Sequence, residues 1–207
     1  YAVGYYDKLG KVMDEVLLET QALTREVIEA KARAHQMCPF ELELDLSLTA
    51  DVVICDYNYV FDPAVYLRRY FDGPNQRYGL LIDEAHNLVD RGREMFSAEI
   101  KKTAYLDLRR QLPLELPLMA RSLAAVNAQF LALLKTDKPG FAQAGYRVIP
   151  ELPQRLVQAV RKFTVAAEDW LQQNQVADFS EALLALYFDS LRFLRIAETF
   201  DQHYNCL

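Results

Sequence analysis

Leu80-Leu81-Ile82-Asp83-Glu84-Ala85-His86 is the stretch on which the reading of this chain turns. An apolar run that stops at an acidic pair is how a buried strand delivers two carboxylates to the end of a sheet, where each can take a separate job in nucleotide hydrolysis. Asp83 is the candidate holder of the Mg²⁺ that bridges two phosphates, and Glu84 the candidate for orienting the attacking water. His86 reads as a relay between such a site and a neighbouring domain. The plainer alternative is an Asp-Glu pair, with His86, capping a surface helix.

Working upstream, Asp51-Val52-Val53-Ile54-Cys55 is β-branched and almost continuously apolar, as expected of a strand covered on both faces in a parallel sheet. Pro63 to Tyr70 reads as a helix with proline near its start, closed by Asp72-Gly73-Pro74-Asn75. Strand, helix and strand over about 30 residues predict a right-handed βαβ crossover. Ligands gather beyond the carboxyl ends of such strands, which puts Asp83, Glu84 and Asp56 toward one edge. Asp56 itself reads first as the opener of the turn Asp56-Tyr57-Asn58. Two parallel strands do not make a sheet alone, so their neighbours are expected outside these residues. The absence of Met at Tyr1 also suggests a piece of a longer protein.

The flanks are helical in pattern. Leu9, Val12 and Val16, then Leu23, Val27, Ala30 and Ala34, fall at helical spacing, which predicts one or two helices with a break near Thr20. Pro39 should end that region and turn the chain, with Cys38 at the corner. From Ser97 onward three apolar stripes follow: Leu123, Val126, Phe130, Leu133 and Leu134; Leu156, Val160, Phe163, Ala167 and Trp170; and a last one from Phe179 to Phe200. Pro117, Pro150 and Pro153 lie near expected helix starts, and Lys135 to Pro150 reads as a loop. The expected fold class is mainly α with a small parallel β element, a bundle of about four helices attached to a βαβ slice.

With 207 residues, 52% of them apolar, the chain can bury a core. A net charge of −6 makes the whole chain a poor attractor of nucleic acid, so any such contact must be local. Arg68-Arg69, Lys101-Lys102, Arg109-Arg110 and Arg161-Lys162 could reach phosphates, but read mostly as solvated helix faces. The three cysteines, at 38, 55 and 206, do not form a secreted disulfide pattern, so a cytoplasmic location is expected, with Cys55 packed in its strand. No apolar stretch looks close to the roughly 18 residues of a membrane span, and no membrane partner is expected. A phosphate loop of the form G-x-x-x-x-G-K-[ST] is absent from the sequence, so this chain should not hydrolyse ATP by itself.

Residues 50–63, Ala-Asp-Val-Val-Ile-Cys-Asp-Tyr-Asn-Tyr-Val-Phe-Asp-Pro, followed by Leu81-Ile82-Asp83-Glu84-Ala85-His86-Asn87-Leu88, resemble the XPD/DinG-type superfamily 2 DNA helicases. Cys38-Pro39-Phe40 looks like the place where that family puts the last of four cysteines around a [4Fe–4S] cluster. The resemblance is specific from about residue 35 to 100. It implies a RecA-like motor domain with two insertions: residues 1–43 as the second half of the iron–sulfur domain, 44–96 as part of the first motor domain, and 97–207 as the helical Arch. It further implies ATP and Mg²⁺ as cofactors, 5′-to-3′ movement on single-stranded DNA, Asp83 and Glu84 in catalysis, and Cys38 as one cluster ligand. Phe40, Tyr57 and Asn58 become candidate DNA contacts, an aromatic ring offering a platform to any base. The sequence departs from its relatives at Leu44, near the DNA path, where they often carry Arg. The other cluster cysteines are also absent from these residues, and such clusters need about four thiolates. A different reading stays open, in which the helical region is a non-enzymatic module that recruits protein partners in a larger DNA-repair protein.

Overall fold

The structure is a computed structural model that describes residues 4–20, 22–72, 77–135, 148–173 and 176–207. It is mainly helical and divides into two compact units, one of Tyr1–Val60 with Leu67–Leu81 and one of Phe61–Tyr66 with Ile82–Leu207. Residues 44–96 therefore contribute to both.

The first unit is built on α1 (Tyr5–Glu19), α2 (Arg25–Ala34) and α3 (Pro39–Ser47). The expected break at Thr20 is present: its backbone is extended, and its hydroxyl accepts the amide of Ala22 at 3.2 Å. Val12 with Val16, Ile28 with Ala32, and Leu42 with Leu46 pack together with Tyr5 and Met37. Each pair is one helical turn apart, so one stripe per helix closes the core. On α2 the buried stripe is Ile28 and Ala32 rather than the expected Val27, Ala30 and Ala34, a rotation of about 100°. The larger Ile28 fills the core, and Lys31 is turned toward Glu15 and Glu19 of α1, at 2.7 and 2.6 Å.

Between α2 and α3 the chain ends one helix and starts the next within four residues. Gln36 takes a left-handed φ of 54°; its amide bonds the Arg33 carbonyl, and the Met37 amide bonds the Ala32 carbonyl at 2.8 Å. This is a Schellman closure with the buried pair Met37 and Ala32 as its apolar contact. Pro39 then opens α3, where a missing N–H costs nothing, and Cys38 is the residue before it. Asp45 of α3 accepts the Tyr5 hydroxyl at 2.7 Å and Arg69 at 3.0 Å, while Tyr70 donates to the Ser47 hydroxyl at 2.6 Å. These bonds fasten the short helix α5 (Arg68–Phe71) to α3. Burial and the Asp45 carboxylate together raise the Tyr5 phenol well above its ordinary range.

The second unit contains α6 (Leu88–Met95), α7 (Lys102–Gln111), α8 (Pro117–Lys135), α9 (Gln154–Leu171) and α10 (Ser180–Glu198). The last four form the expected bundle. Leu123 and Val126 of α8, the full stripe Leu156, Val160, Phe163, Ala167 and Trp170 of α9, and Phe179, Leu183 and Leu194 at α10 are buried in one cluster. Tyr105 packs edge-on to Phe163 with ring centres 5.5 Å apart. Its buried hydroxyl is 2.7 Å from Ser190 Oγ, which also donates to the Leu186 carbonyl, so the polar pair inside the core is satisfied. Pro117 opens α8 and Pro153 precedes α9. Residues 136–147, within the expected loop, lie outside the described residues, as do Gly73-Pro74-Asn75 of the expected helix closure.

The expected parallel β element is corrected. Among the described residues no strand forms; an isolated antiparallel bridge joins Ile149 and Cys206. Residues 52–56 and 77–82 run without ladder hydrogen bonds, leaving Ile54 96% and Leu81 103% exposed. β-branched composition favours an extended backbone but cannot supply the second chain that a ladder needs. The expected helix from Pro63 to Tyr70 is also shorter. Asp62 captures the Ala64 amide with its side chain at 2.7 Å and those of Val65 and Tyr66 with its carbonyl, making a turn that precedes α5. Cys55, expected to pack, is exposed. The expectation about long apolar stretches is corrected too: the 19-residue α8 has a mean hydropathy of 1.3, enough by length and composition for a span. Its Met119, Leu123 and Val126 are buried in the bundle core, while Leu118, Leu131 and Leu134 are exposed.

Candidate functional site

Asp83, Glu84 and His86 are brought together by one tight turn in the second unit. The turn leads from the apolar segment into a short 3₁₀ helix, Ala85–Asn87, and then directly into α6. Asp83 Oδ1 accepts the amide of Glu84 at 2.9 Å, and the Glu84 carbonyl accepts the amide of Asn87 at 2.9 Å. Glu84 has φ 48° and ψ 38°, the left-handed region that a side chain with a Cβ enters at a cost of about 1–2 kcal/mol. Strain of this kind collects at functional positions. The Glu84 carboxylate meets His86 Nδ1 at 3.3 Å, and all three side chains are exposed. The capping alternative does not hold in detail: neither α6 nor the 3₁₀ helix has a side-chain cap bond, although Asp83 does tie down one amide of the turn.

The arrangement leaves Asp83 Oδ2 uncommitted within the turn and places an imidazole against Glu84. Mg²⁺ is commonly held by one or two carboxylates with phosphates and waters completing its shell, so an exposed Asp at the head of this turn fits that donor set. No group of three or more His, Cys, Asp or Glu side chains among the described residues could hold a metal ion unaided.

The other sequence-derived candidates lie in the first unit. Cys38 is half-exposed with a free thiol at the start of α3, and Phe40 is exposed on the first turn of that helix. Asp56 Oδ1 accepts the Asn58 amide at 2.9 Å, which bears out its reading as a turn opener. Asn58 starts the short helix α4 (Asn58–Phe61) and is exposed, whereas Tyr57 and Tyr59 are half-buried. A [4Fe–4S] cluster does not fit the residues present: three cysteines exist in the chain, and Cys38 and Cys55 are in the first unit while Cys206 is in the second. The basic pairs are largely matched by acids, with Arg69 on Asp45, Lys101 on Glu99, Arg110 on Asp107 and Arg161 on Glu198.

Sequence reading missed the aromatic cluster of Tyr70, Phe71 and Tyr78, with ring centres 5.6 to 6.4 Å apart, and two arginines of α10, Arg192 and Arg195. The Arg-Arg-Tyr-Phe run pointed to the first. Nothing local signals the second, because their partners are about 100 residues away in sequence.

Asp83, Glu84 and His86 thus share one exposed turn behind an apolar segment, and comparison with known proteins places this stretch in a family. Residues 3–105 match the DEAD_2 family model, and through that half the chain belongs to this XPD/DinG-like helicase family. The chain is 27% identical over 113 residues to a Fanconi anemia group J protein homolog from Gallus gallus, covering 52% of this chain and 9% of the relative. It is 30% identical over 107 residues to a regulator of telomere elongation helicase 1 homolog from Caenorhabditis elegans, covering 50% and 11%. The Caenorhabditis briggsae homolog gives 29% over 104 residues, 48% and 10%. The matches thus span about a tenth of the length of these relatives. No solved structure matches the chain.

Proposed function

We propose that this chain supplies the Mg²⁺-binding and water-activating turn of an ATP-dependent 5′-to-3′ DNA helicase, together with the helical Arch that guides single-stranded DNA. The observation that carries the reading is the Asp83–His86 turn, in which a strained Glu84 and an exposed Asp83 follow an apolar segment within family-matched sequence. The bound Mg²⁺ would neutralise charge on the transferred phosphoryl group. Asp83 would hold it through Oδ2, since Oδ1 is used by the Glu84 amide. Glu84 orients the attacking water, and His86, 3.3 Å from its carboxylate, steers Glu84 and relays its state to α6. The phosphate loop comes from sequence beyond these 207 residues, and the chain alone is inactive.

In this reading, residues 1–43 belong to the iron–sulfur domain, 44–96 to the first motor domain and 97–207 to the Arch. The apolar segments 52–55 and 79–82 pair with neighbouring strands in the larger protein, which would cover Ile54 and Leu81. Cys38 is a single candidate thiolate for a cluster, and no step is built on it. Phe40 and Asn58, being exposed, are the stronger DNA-side candidates, with Tyr57 behind them. The experiment is Glu84→Gln in the intact protein. Nucleotide binding should persist while turnover falls by at least about 10²-fold, the scale of removing a positioned base. Normal turnover would discard the assignment.

A further inference from the structure

Two arginines on α10 reach to main-chain oxygens of α6 and of the Asp62–Tyr66 turn in the second unit. Arg192 and Arg195 are three residues apart, so both guanidinium groups leave one face of the helix. Arg192 Nη2 donates to the Glu94 carbonyl at 2.8 Å, and Arg195 Nη1 donates to the Ala64 carbonyl at 2.8 Å. Glu94 lies in the last turn of α6, whose first turn continues directly from the 3₁₀ helix Ala85–Asn87. Carbonyls in a last turn carry the negative end of the helix dipole, which favours a cation there, and the Glu94 carbonyl accepts the Ser97 amide at 3.3 Å as well as Arg192. Ala64 lies in the Asp62–Tyr66 turn, which belongs to the same unit.

The covalent link between α6 and the bundle is much looser. From Ser97 to Lys101 the chain is not helical, and beside it opens a cleft of 480 Å³ lined by Ser97, Ile100, Leu186, Asp189 and Arg192 among others. Met95 in the last turn of α6 is buried, and the two arginines add side-chain ties from α10 to this region.

We infer that Arg192 and Arg195 are positioning residues that latch the helical bundle to α6 and to the Asp62–Tyr66 turn, so that displacement of the Asp83–His86 turn reaches the bundle as a rigid-body movement. The inference rests on the proposed ATPase role for its consequence, but not for its geometry. Neither arginine touches the nucleotide-site residues, and each bond ends on a main-chain oxygen, so the latch depends on helix position rather than on the side chains it reaches.

Two measurements test it. Hydrogen exchange on this chain, comparing wild type with Arg192→Ala/Arg195→Ala, should show amides of α6 and residues 85–87 exchanging about three- to tenfold faster while those of α8 and α9 are unchanged. Arg192→Lys alongside Arg195 should retain part of the protection. Unchanged exchange in α6, or an equal rise through α8 and α9, overturns the latch. In the intact protein the double variant should lose DNA-stimulated ATPase by a similar factor with the DNA-free rate retained. Equal loss of both rates, or loss of neither, overturns the coupling. If the wild-type intact protein has no ATPase, the helicase reading fails, and the exchange result still decides the latch.

Discussion

The α7–α10 bundle and the segments 52–56 and 77–82 are both dense in Val, Ile and Leu, yet one hides its apolar side chains and the other displays them. The difference lies in where the backbone finds its hydrogen bonds. A helix satisfies its own amides within each segment and needs only a neighbour for one stripe, which α7 to α10 provide for each other. A strand must borrow both its ladder and its covering faces, and two such segments cannot supply them. High hydrophobicity alone therefore does not tell which segments are buried in a given length of chain.

The largest test of that contrast is Phe163→Ala in the bundle. Phe163 is fully buried against Tyr105, so truncation should cost about 3–5 kcal/mol in urea unfolding, with a matching fall in the midpoint. A loss below 1 kcal/mol would mean the bundle core is far looser than its packing.

A second test reads the same core through pH. Burial is the main cause that pushes the Tyr105 phenol up to about 12, with a smaller push from Asp189 and an opposing hydrogen bond from Ser190. The ordinary value is 10, so between pH 10 and 12 the folded state holds a proton that the unfolded chain releases. The contribution is complete below pH 10 and is lost as the pH rises toward 12, with a slope of up to about 1.4 kcal/mol per pH unit. Tyr105→Phe should flatten that slope, and at pH 7 it should cost little, because Ser190 still donates to the Leu186 carbonyl. An unaltered alkaline slope in the variant would show that Tyr105 is not its source.

The smallest effect should come from the exposed segments. Ile54→Lys removes a side chain that is 96% exposed, so stability should change by less than about 0.5 kcal/mol while self-association falls. A loss of 2 kcal/mol or more would show that Ile54 is buried in this chain after all, and the contrast would collapse.

Much of the helical part was legible. The α9 stripe is buried position for position, and Thr20, Pro117 and Pro153 mark helix boundaries as their chemistry predicts, whereas Pro39, expected to end a helix, opens α3 after α2 has already closed at Ala34. Asp83, Glu84 and His86 lie within four consecutive residues, so their convergence in one turn needed no tertiary information. The failures have a common cause. The face of α2 depended on Lys31 meeting Glu15 and Glu19 of another helix, the fate of residues 52–56 and 77–82 on strands to pair with, and the brevity of α5 on Asp62 capturing three amides.

By itself the sequence determined the long helices of the bundle, the stripe that α9 buries and which carboxylates share a turn, because those outcomes depend on neighbours within a few residues. Tertiary structure alone decided the orientation of α2 and the reach of Arg192 and Arg195 to Glu94 and Ala64. These depend on groups that come close only after the chain has folded, at sequence separations over which local propensity carries no information.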